Sequence, residues 1–256
     1  MAHVDVSNLS YSIPVPVKDP NQAFYEKCYK CCQSESKTLI KNITCSFKPE
    51  LTAILGPSGS GKTTLIDCLS GRKAEFNIEC DKFNINGETA DLSKMNKISG
   101  YVAQDDILTA TLTVQENIKF SADLRTPSSE KQKIPGTVKN IIRLLGLNRC
   151  KENLIGDAMI RGVSGGERKR TAIGMELAAS PPIVYLDEPT TGLDSSTSLA
   201  VVRVLKELAR EKTVVMSIHQ PSSRIWDELD RVVLMRKGEI VFQGTFSVKE
   251  TICERN

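Results

Sequence analysis

Apolar positions along the chain fall into two kinds of run, and each predicts its own kind of element. Short unbroken apolar stretches occur at residues 183–186, 213–218 and 232–234. Such runs are too short for a helix and suit strands buried on both faces of a parallel sheet. Residues 4–13, 38–47 and 51–55 read as further strands, and residues 239–242 close the sheet. Apolar residues at helical spacing occupy residues 63–71, the stretch from Thr113, and residues 137–147, 165–179 and 195–210. Asp194 or Ser195 is available to cap the last of these helices. The polar stretch 126–136 breaks the helical region, and Gly146 or Asn148 ends the helix that follows. Residues 78–84, the Asn86-Gly87 turn and residues 98–103 predict a small sheet with turns. The whole reads as a parallel α/β core, residues 1–104 and 181–256, with a helical insert over residues 105–180.

Composition narrows the class without naming it. The chain has 256 residues, 40% hydrophobic and 25% charged, as in an ordinary globular protein. Its net charge of +3, from 34 basic and 31 acidic residues, is far from the dense basic footprint of a nucleic-acid binder. No apolar run is long enough to span a membrane, and Met1-Ala2-His3-Val4-Asp5 does not begin a secretory signal, so the chain as given is expected to be soluble. Most of the 8 cysteines, such as Cys68, stand singly in apolar surroundings and are expected in the core of a reduced protein. Cys28, Cys31 and Cys32 lie in a polar insertion over residues 14–37. A structural zinc site takes four ligands, and no fourth is near, so no metal is expected there.

The chemistry starts where the strand over residues 51–55 runs into Gly56-Pro57-Ser58-Gly59-Ser60-Gly61-Lys62-Thr63 and then the helix over residues 63–71, whose Thr64 is counted with the loop among the ATP-binding residues. Strand, glycine loop and helix in that order form a phosphate-binding loop. The glycines let successive backbone N–H groups turn inward around phosphate oxygens. Lys62 brings a charge to the β- and γ-phosphates of ATP, the Thr63 hydroxyl can reach Mg²⁺, and the helix points its positive end at the same anion. Asp187 ends an apolar strand, where open α/β sheets present their ligands, and suits a Mg²⁺ ion. Glu188 beside it can take a proton from, or orient, an attacking water. These pieces specify a nucleotide triphosphatase.

A further motif is more selective. Val163-Ser164-Gly165-Gly166-Glu167 opens a helix with two glycines in its first turn, creating a second exposed set of N–H groups and a second positive helix end. One triphosphate seldom needs both within one chain. A dimer that sandwiches ATP between two chains does. The order of the glycine loop, Gln104, Ser164-Gly165-Gly166-Glu167, Asp187-Glu188, Asp194 and His219 resembles the nucleotide-binding domain of an ABC transporter over nearly the whole chain. Gly162 to Arg170, Gly174-Met175-Glu176-Leu177 and Ile218-His219-Gln220-Pro221-Ser222 resemble its G subfamily, the eukaryotic half-transporters of the White and sterol or multidrug type. Gly71-Arg72-Lys73 and Phe120 to Arg125 fit the same pattern.

The resemblance implies a P-loop NTPase (RecA-like) core, a small antiparallel β subdomain and an inserted α-helical subdomain. It implies that Gln104 touches Mg²⁺ or water and couples the site to a membrane domain. Ser164, Gly165 and Gly166, with Glu167 behind them, would hold the γ-phosphate of ATP bound to the other protomer, and Asp194 would bridge the protomers. His219 would contact the γ-phosphate and help align water. Tyr11 would stack on adenine, with Phe24, Tyr25 and Tyr29 as nearby aromatic alternatives. Glu176 is either the subfamily's coupling glutamate or a solvated helix acid. The partners implied are a second such domain, identical or not, and a transmembrane domain following in the same full-length chain, whose ATPase part faces the cytoplasm. DNA-repair ATPases of this type carry a long coiled coil, and translation ATPases two such domains per chain; neither pattern is present. A stand-alone importer subunit has the right length but seldom the His-Gln-Pro wording.

Overall fold

The computed structural model describes residues 2–16, 34–73 and 77–245. Strand β1 (Val4–Pro16) pairs antiparallel with β2 (Ser34–Phe47). Strand β3 (Leu51–Leu55) feeds the glycine loop and helix α1 (Lys62–Leu69). Three short strands follow: β4 (Ile78–Glu79), β5 (Lys82–Ile85) and β6 (Glu88–Thr89). One turn of helix, α2 (Met95–Ile98), leads directly into β7 (Ser99–Val102). The helical segment comprises α3 (Val114–Arg125), α4 (Ile134–Leu144) and α5 (Gly165–Leu177). The chain then alternates: β8 (Ile183–Leu186), α6 (Ser195–Leu208), β9 (Thr213–Ile218), the short α7 (Ser223–Glu228), β10 (Arg231–Arg236) and β11 (Glu239–Thr245).

Two sheets result. The larger runs β11-β10-β3-β9-β8-β7, with every neighbouring pair parallel except β10 and β11. The smaller is antiparallel, built from β2, β1, β5 and β6 with β4 added to β1. Alternation along the central strands explains their unbroken apolar runs. Val184 and Leu186 of β8 pack into the core beneath the helices, while Ile183 and Tyr185 pack into the second core, with the antiparallel sheet and α1. A strand clamped on both faces has no polar side to show.

Two expectations are corrected. Residues 98–103 were expected in the small sheet, but β7 is the edge strand of the large one, parallel to β8. The polar break at 126–136 is shorter than expected: a 3₁₀ turn covers Ser128–Lys133 and α4 starts at Ile134 with proline in its first turn. Proline fits there because a first-turn N–H has no partner within the helix. Cys28, Cys31 and Cys32 lie outside the described residues, as do Phe24, Tyr25 and Tyr29, while the ends of the expected insertion, residues 14–16 and 34–37, continue the pairing of β1 with β2. Cys45, Cys68 and Cys150 are buried free thiols; burial pushes the first two up to about 12.

Candidate functional site

Four adjacent parallel strands, β3, β9, β8 and β7, end at one edge of the large sheet. Their carboxyl ends deliver the glycine loop, His219, Asp187-Glu188 and Gln104 in that spatial order. Distance in sequence therefore becomes adjacency in space, and hydrogen bonds fasten the pieces together. Thr63 Oγ1 donates to Asp187 Oδ1 at 3.1 Å, joining the loop to the end of β8. Ser58 Oγ and His219 Nε2 lie 3.3 Å apart, joining the loop to the end of β9.

The loop itself is wound tightly. Gly59 and Gly61 have φ of 75° and 101°, a left-handed region that side-chain-bearing residues rarely enter. Gly61 is the N-cap of α1 and supplies no side chain to its first turn, so the helix's free N–H groups stay available. Lys62 is only 6% exposed, and its ammonium lies inside the loop, donating to the carbonyls of Gly56 at 2.9 Å and Pro57 at 3.2 Å.

Asp187 is 3% exposed, and Glu188 is half-buried with a backbone φ of 44°. Glu188 Oε2 accepts from the Thr191 hydroxyl at 2.9 Å. Ser217, which has no exposed surface, donates to Asp187 Oδ1 at 2.6 Å and accepts the Glu188 N–H at 2.8 Å. The sequence reading passed over Ser217; a lone hydroxyl among Val214, Val215, Met216 and Ile218 was the available signal.

Gln104 sits on the loop after β7 with its residue exposed. Its backbone carbonyl accepts from Lys169 Nζ at 2.8 Å. Lys169 is itself buried in α5 and forms an ion pair with Asp106 at 2.6 Å. A buried lysine was not legible within Glu167-Arg168-Lys169-Arg170, which reads as a solvated helix face.

Ser164 caps α5 in a reciprocal box: its side chain accepts the Glu167 N–H at 3.4 Å, and Glu167 Oε2 accepts the Ser164 N–H at 2.9 Å. Partial burial pushes the Glu167 carboxyl up, but these Ser164 hydrogen bonds outweigh it and hold the group below its ordinary value. A β-carbon at Gly166 would come within 2.1 Å of the Thr197 side chain, so this glycine lets α5 and the start of α6 approach. Asp194 caps α6 by accepting from the N–H groups of Ser196 and Thr197, each at 3.1 Å, and its carboxyl is depressed by the same neighbours' donors. Ser164, Gly165 and Asp194 are all exposed. The start of α5 and the start of α6 thus form one outward patch, joined to the sheet edge through Lys169 and the Gln104 carbonyl.

Tyr11 is a correction. Its ring is 2% exposed, paired in the small sheet with Ile40 and Ile78 and packed into the second core. An adenine has no face of it to stack on.

Residues 40–191 match the ABC transporter family. The chain is 43% identical over 237 residues to the broad substrate specificity ATP-binding cassette transporter ABCG2 of Sus scrofa, aligning 87% of this chain with 35% of that protein. It is 47% identical over 212 residues to ABC transporter G family member 17 of Arabidopsis thaliana, aligning 82% of this chain with 32% of the relative. The chain thus spans about a third of the length of the curated relatives it matches. Among solved structures it resembles cbiO1 from Clostridium perfringens, part of the ABC transporter complex cbiONQ, with a TM-score of 0.71 at 25% identity over 98% of this chain and 91% of that one. It shares its fold with the ATP-binding cassette MJ0796, solved as a post-hydrolysis dimer bound to ADP and Pi, with a TM-score of 0.66 at 23% identity over 94% and 98% of the two chains.

Proposed function

Because the chain belongs to the ABC transporter family, as a nucleotide-binding domain of the G-subfamily kind, we propose that it binds and hydrolyses ATP between two copies of such a domain and so powers export by a half-transporter. The observation that carries this reading is the separation of two anion-binding helix ends. One, at α1, is enclosed among Lys62, Thr63 and Asp187. The other, at α5, faces outward with Ser164 and Gly165 exposed. A triphosphate seated on the first would offer its γ-phosphate to the second only on another molecule.

Within one half-site the roles divide by chemistry. The N–H groups of residues 56–64 would cradle the phosphates, with Lys62 as the point charge. Asp187 and Thr63 present two oxygens within hydrogen-bond distance of each other, and no cluster of three or more acidic, histidine or cysteine groups that could hold a metal occurs among the described residues. That sparse, all-oxygen set fits Mg²⁺, which retains waters and substrate oxygens instead of filling its shell from protein. When bound, Mg²⁺ supplies charge neutralisation at the β- and γ-phosphates; Gln104 is proposed as a further ligand to it or to water. Glu188 is proposed to orient and deprotonate the attacking water, and His219 to contact the γ-phosphate. Ser164, Gly165 and Gly166 of the other copy, with Glu167 holding their helix turn, would complete the shell, and Asp194 would meet its counterpart across the interface.

The core lobe, residues 1–104 and 181–256, and the helical lobe, residues 105–180, are the proposed division of this domain. A transmembrane domain in the same full-length chain is the proposed second partner, with this domain on the cytoplasmic face. No helix among the described residues is long and apolar enough to cross a membrane. The exposed apolar residues Ile107, Phe120 and Leu124 offer that domain a contact surface, near a cavity lined by Arg72, Tyr101 and Glu176. Glu176 is committed to that neighbourhood by pairing with Arg125 at 2.8 Å and accepting the Tyr101 N–H at 3.2 Å. The second ATPase domain is identical or different: dilution of this chain alone tests for an identical copy, and a different one is tested with that domain added. ATP turnover per molecule is expected to rise with protein concentration, because mass action sets the number of complete sites. A rate per molecule unchanged across a wide dilution series, with no dimer in sedimentation, refutes the shared site.

A further inference from the structure

Ser217 has no part in the proposed hydrolysis, yet its hydroxyl is held from two sides. It occupies the penultimate position of β9, in a strand whose residues are all buried. A hydroxyl in such a place costs free energy unless both its donor and acceptor capacities are met. Here both are met by the two acidic positions next door: the O–H goes to Asp187 Oδ1 at 2.6 Å, and the oxygen receives the Glu188 N–H at 2.8 Å. Thr63 donates to the same Asp187 oxygen, so that carboxylate is held from the glycine loop on one side and from β9 on the other.

The Glu188 contact has a different consequence. With φ at 44°, this residue stands in the left-handed region, where a side chain of this kind is held only if its surroundings over-determine it. The Ser217 oxygen fixes the N–H at the turn into that conformation. The Thr191 hydroxyl fixes the other end of the residue, at Oε2. Together they set the direction in which the Glu188 carboxylate leaves the strand.

We propose that Ser217 is a positioning residue for the reaction, one hydroxyl that orients the Asp187 carboxylate and pins the left-handed backbone of Glu188 at the same time. The inference rests on the ATPase reading above and adds a residue to it. It also links His219 to the same device, because His219 follows Ser217 by two residues at the end of β9 and already lies against Ser58. The carboxylate pair, the loop and the histidine are then set by one short stretch of strand.

The test uses the 256-residue chain with Ser217→Ala, Ser217→Cys and Ser217→Thr. Cysteine fills the position without leaving a cavity, with a somewhat larger atom at its tip, while weakening the hydrogen bonds, and threonine keeps the hydroxyl. Three quantities are read: hydrogen exchange of the Glu188 amide without nucleotide, Mn²⁺ affinity in the presence of ADP, and kcat against KM for ATP. Removal of a group that orients a metal ligand typically costs about 10–100-fold in metal affinity or activity. Ser217→Ala is therefore expected to weaken Mn²⁺ by that range, and to exchange the Glu188 amide about 2–10-fold faster, as for the loss of one hydrogen bond. It should lower kcat with KM for ATP little changed; cysteine should do the same without a packing defect, and threonine should restore much of the loss. The inference is overturned if alanine and cysteine variants keep the parent's amide exchange and Mn²⁺ affinity, or lose only thermal stability. A parent chain that binds no metal–ADP at all would overturn the ATPase reading and this inference with it.

Discussion

At the carboxyl edge of the large sheet, side chains from distant segments grip one another: Thr63 holds Asp187, Ser217 holds Asp187 and Glu188, and Ser58 meets His219. At the start of α5 the same chain presents a second helix end, where Ser164 and Glu167 close a capping box, Arg168 holds the Ile155 carbonyl and Lys169 reaches the Gln104 carbonyl, while Ser164 and Gly165 stay exposed. The first region is organised before any ligand arrives. The second is organised as a helix terminus and otherwise open. Preorganised polar groups lower a barrier because they need not reorient during the reaction. An exposed terminus gains its partners only by association. On the reading proposed above, the difference divides labour: chemistry at the sheet edge, assembly control at the start of α5.

Breaking the sheet edge should have the largest effect. Glu188→Gln keeps the size of the side chain and most of its hydrogen bonding, including an acceptor for Thr191. It removes charge and basicity. General-base catalysis contributes about 10²–10⁴-fold, so hydrolysis should fall by that range while Mg-ATP still binds. Intact ATP would then persist between two copies, and sedimentation should show dimer with Mg-ATP but not with Mg-ADP or without nucleotide. A parent-like rate removes Glu188 from the role. A slow variant that stays monomeric at high concentration with Mg-ATP removes the shared site instead, so the two regions fail separately.

Lys62→Ala should come next. The ammonium is buried inside the loop and bonded to Gly56 and Pro57 carbonyls, so its loss frees two acceptors as well as removing the charge. Turnover is expected to drop about 10²–10³-fold, as for the removal of one preorganised electrostatic contact. Unlike Glu188→Gln, this variant should not accumulate an ATP-dependent dimer. Equal rates for variant and parent at saturating Mg-ATP would defeat the assignment.

These two variants rest on residues that could be read directly from the chain, and the reason is physical. A glycine loop between an apolar strand and a helix is a local pattern, and a carboxylate ending an apolar run marks the edge of a parallel sheet. The central strands were legible for the same reason, since burial on both faces erases alternation. What escaped depended on distant partners. Ser99-Gly100-Tyr101-Val102 carries no apolar run of its own and joins the large sheet only because β8 lies beside it. The resemblance put an adenine against Tyr11, but the pairing of β1 with both β2 and β4 goes with a ring buried in the core. Lys169 was one cation in a charged run until Asp106 and the Gln104 carbonyl were seen around it. Periodicity reports burial; it does not report which polar group waits on the neighbouring element.

The smallest effect sharpens the comparison most, because the chain contains its own control. Helices α3 and α5 begin with the same device: Thr113 with Glu116, and Ser164 with Glu167, each a reciprocal capping box. Both glutamates are held below the ordinary carboxylate value, Glu116 chiefly by its hydrogen bonds from Thr113 and Glu167 by those from Ser164 against its partial burial. A depressed carboxylate stabilises the fold above its unfolded pKa, and that contribution fades as the pH falls through the folded one. Both caps should therefore weaken together in acid. Thr113→Ala and Ser164→Ala should each cost about 1 kcal/mol of stability, the usual loss of an N-cap side chain. In a chain of this size that lowers the melting temperature by about 2–4 °C. Activity should separate them. Thr113 has no part in the proposed sandwich, so its variant should turn over ATP at the parent rate. A hydrogen bond from the Ser164 hydroxyl to the γ-phosphate of the other copy's ATP is of the charged kind, worth about 1.5–3 kcal/mol. Its loss should lower the rate about tenfold or more at low protein concentration, with partial recovery as concentration rises and dimer is restored by mass action. Melting curves and ATPase rates over a dilution series decide the matter. If the two variants lose stability equally and neither loses activity, the start of α5 is only a well-capped helix, and the division of labour between the two regions falls.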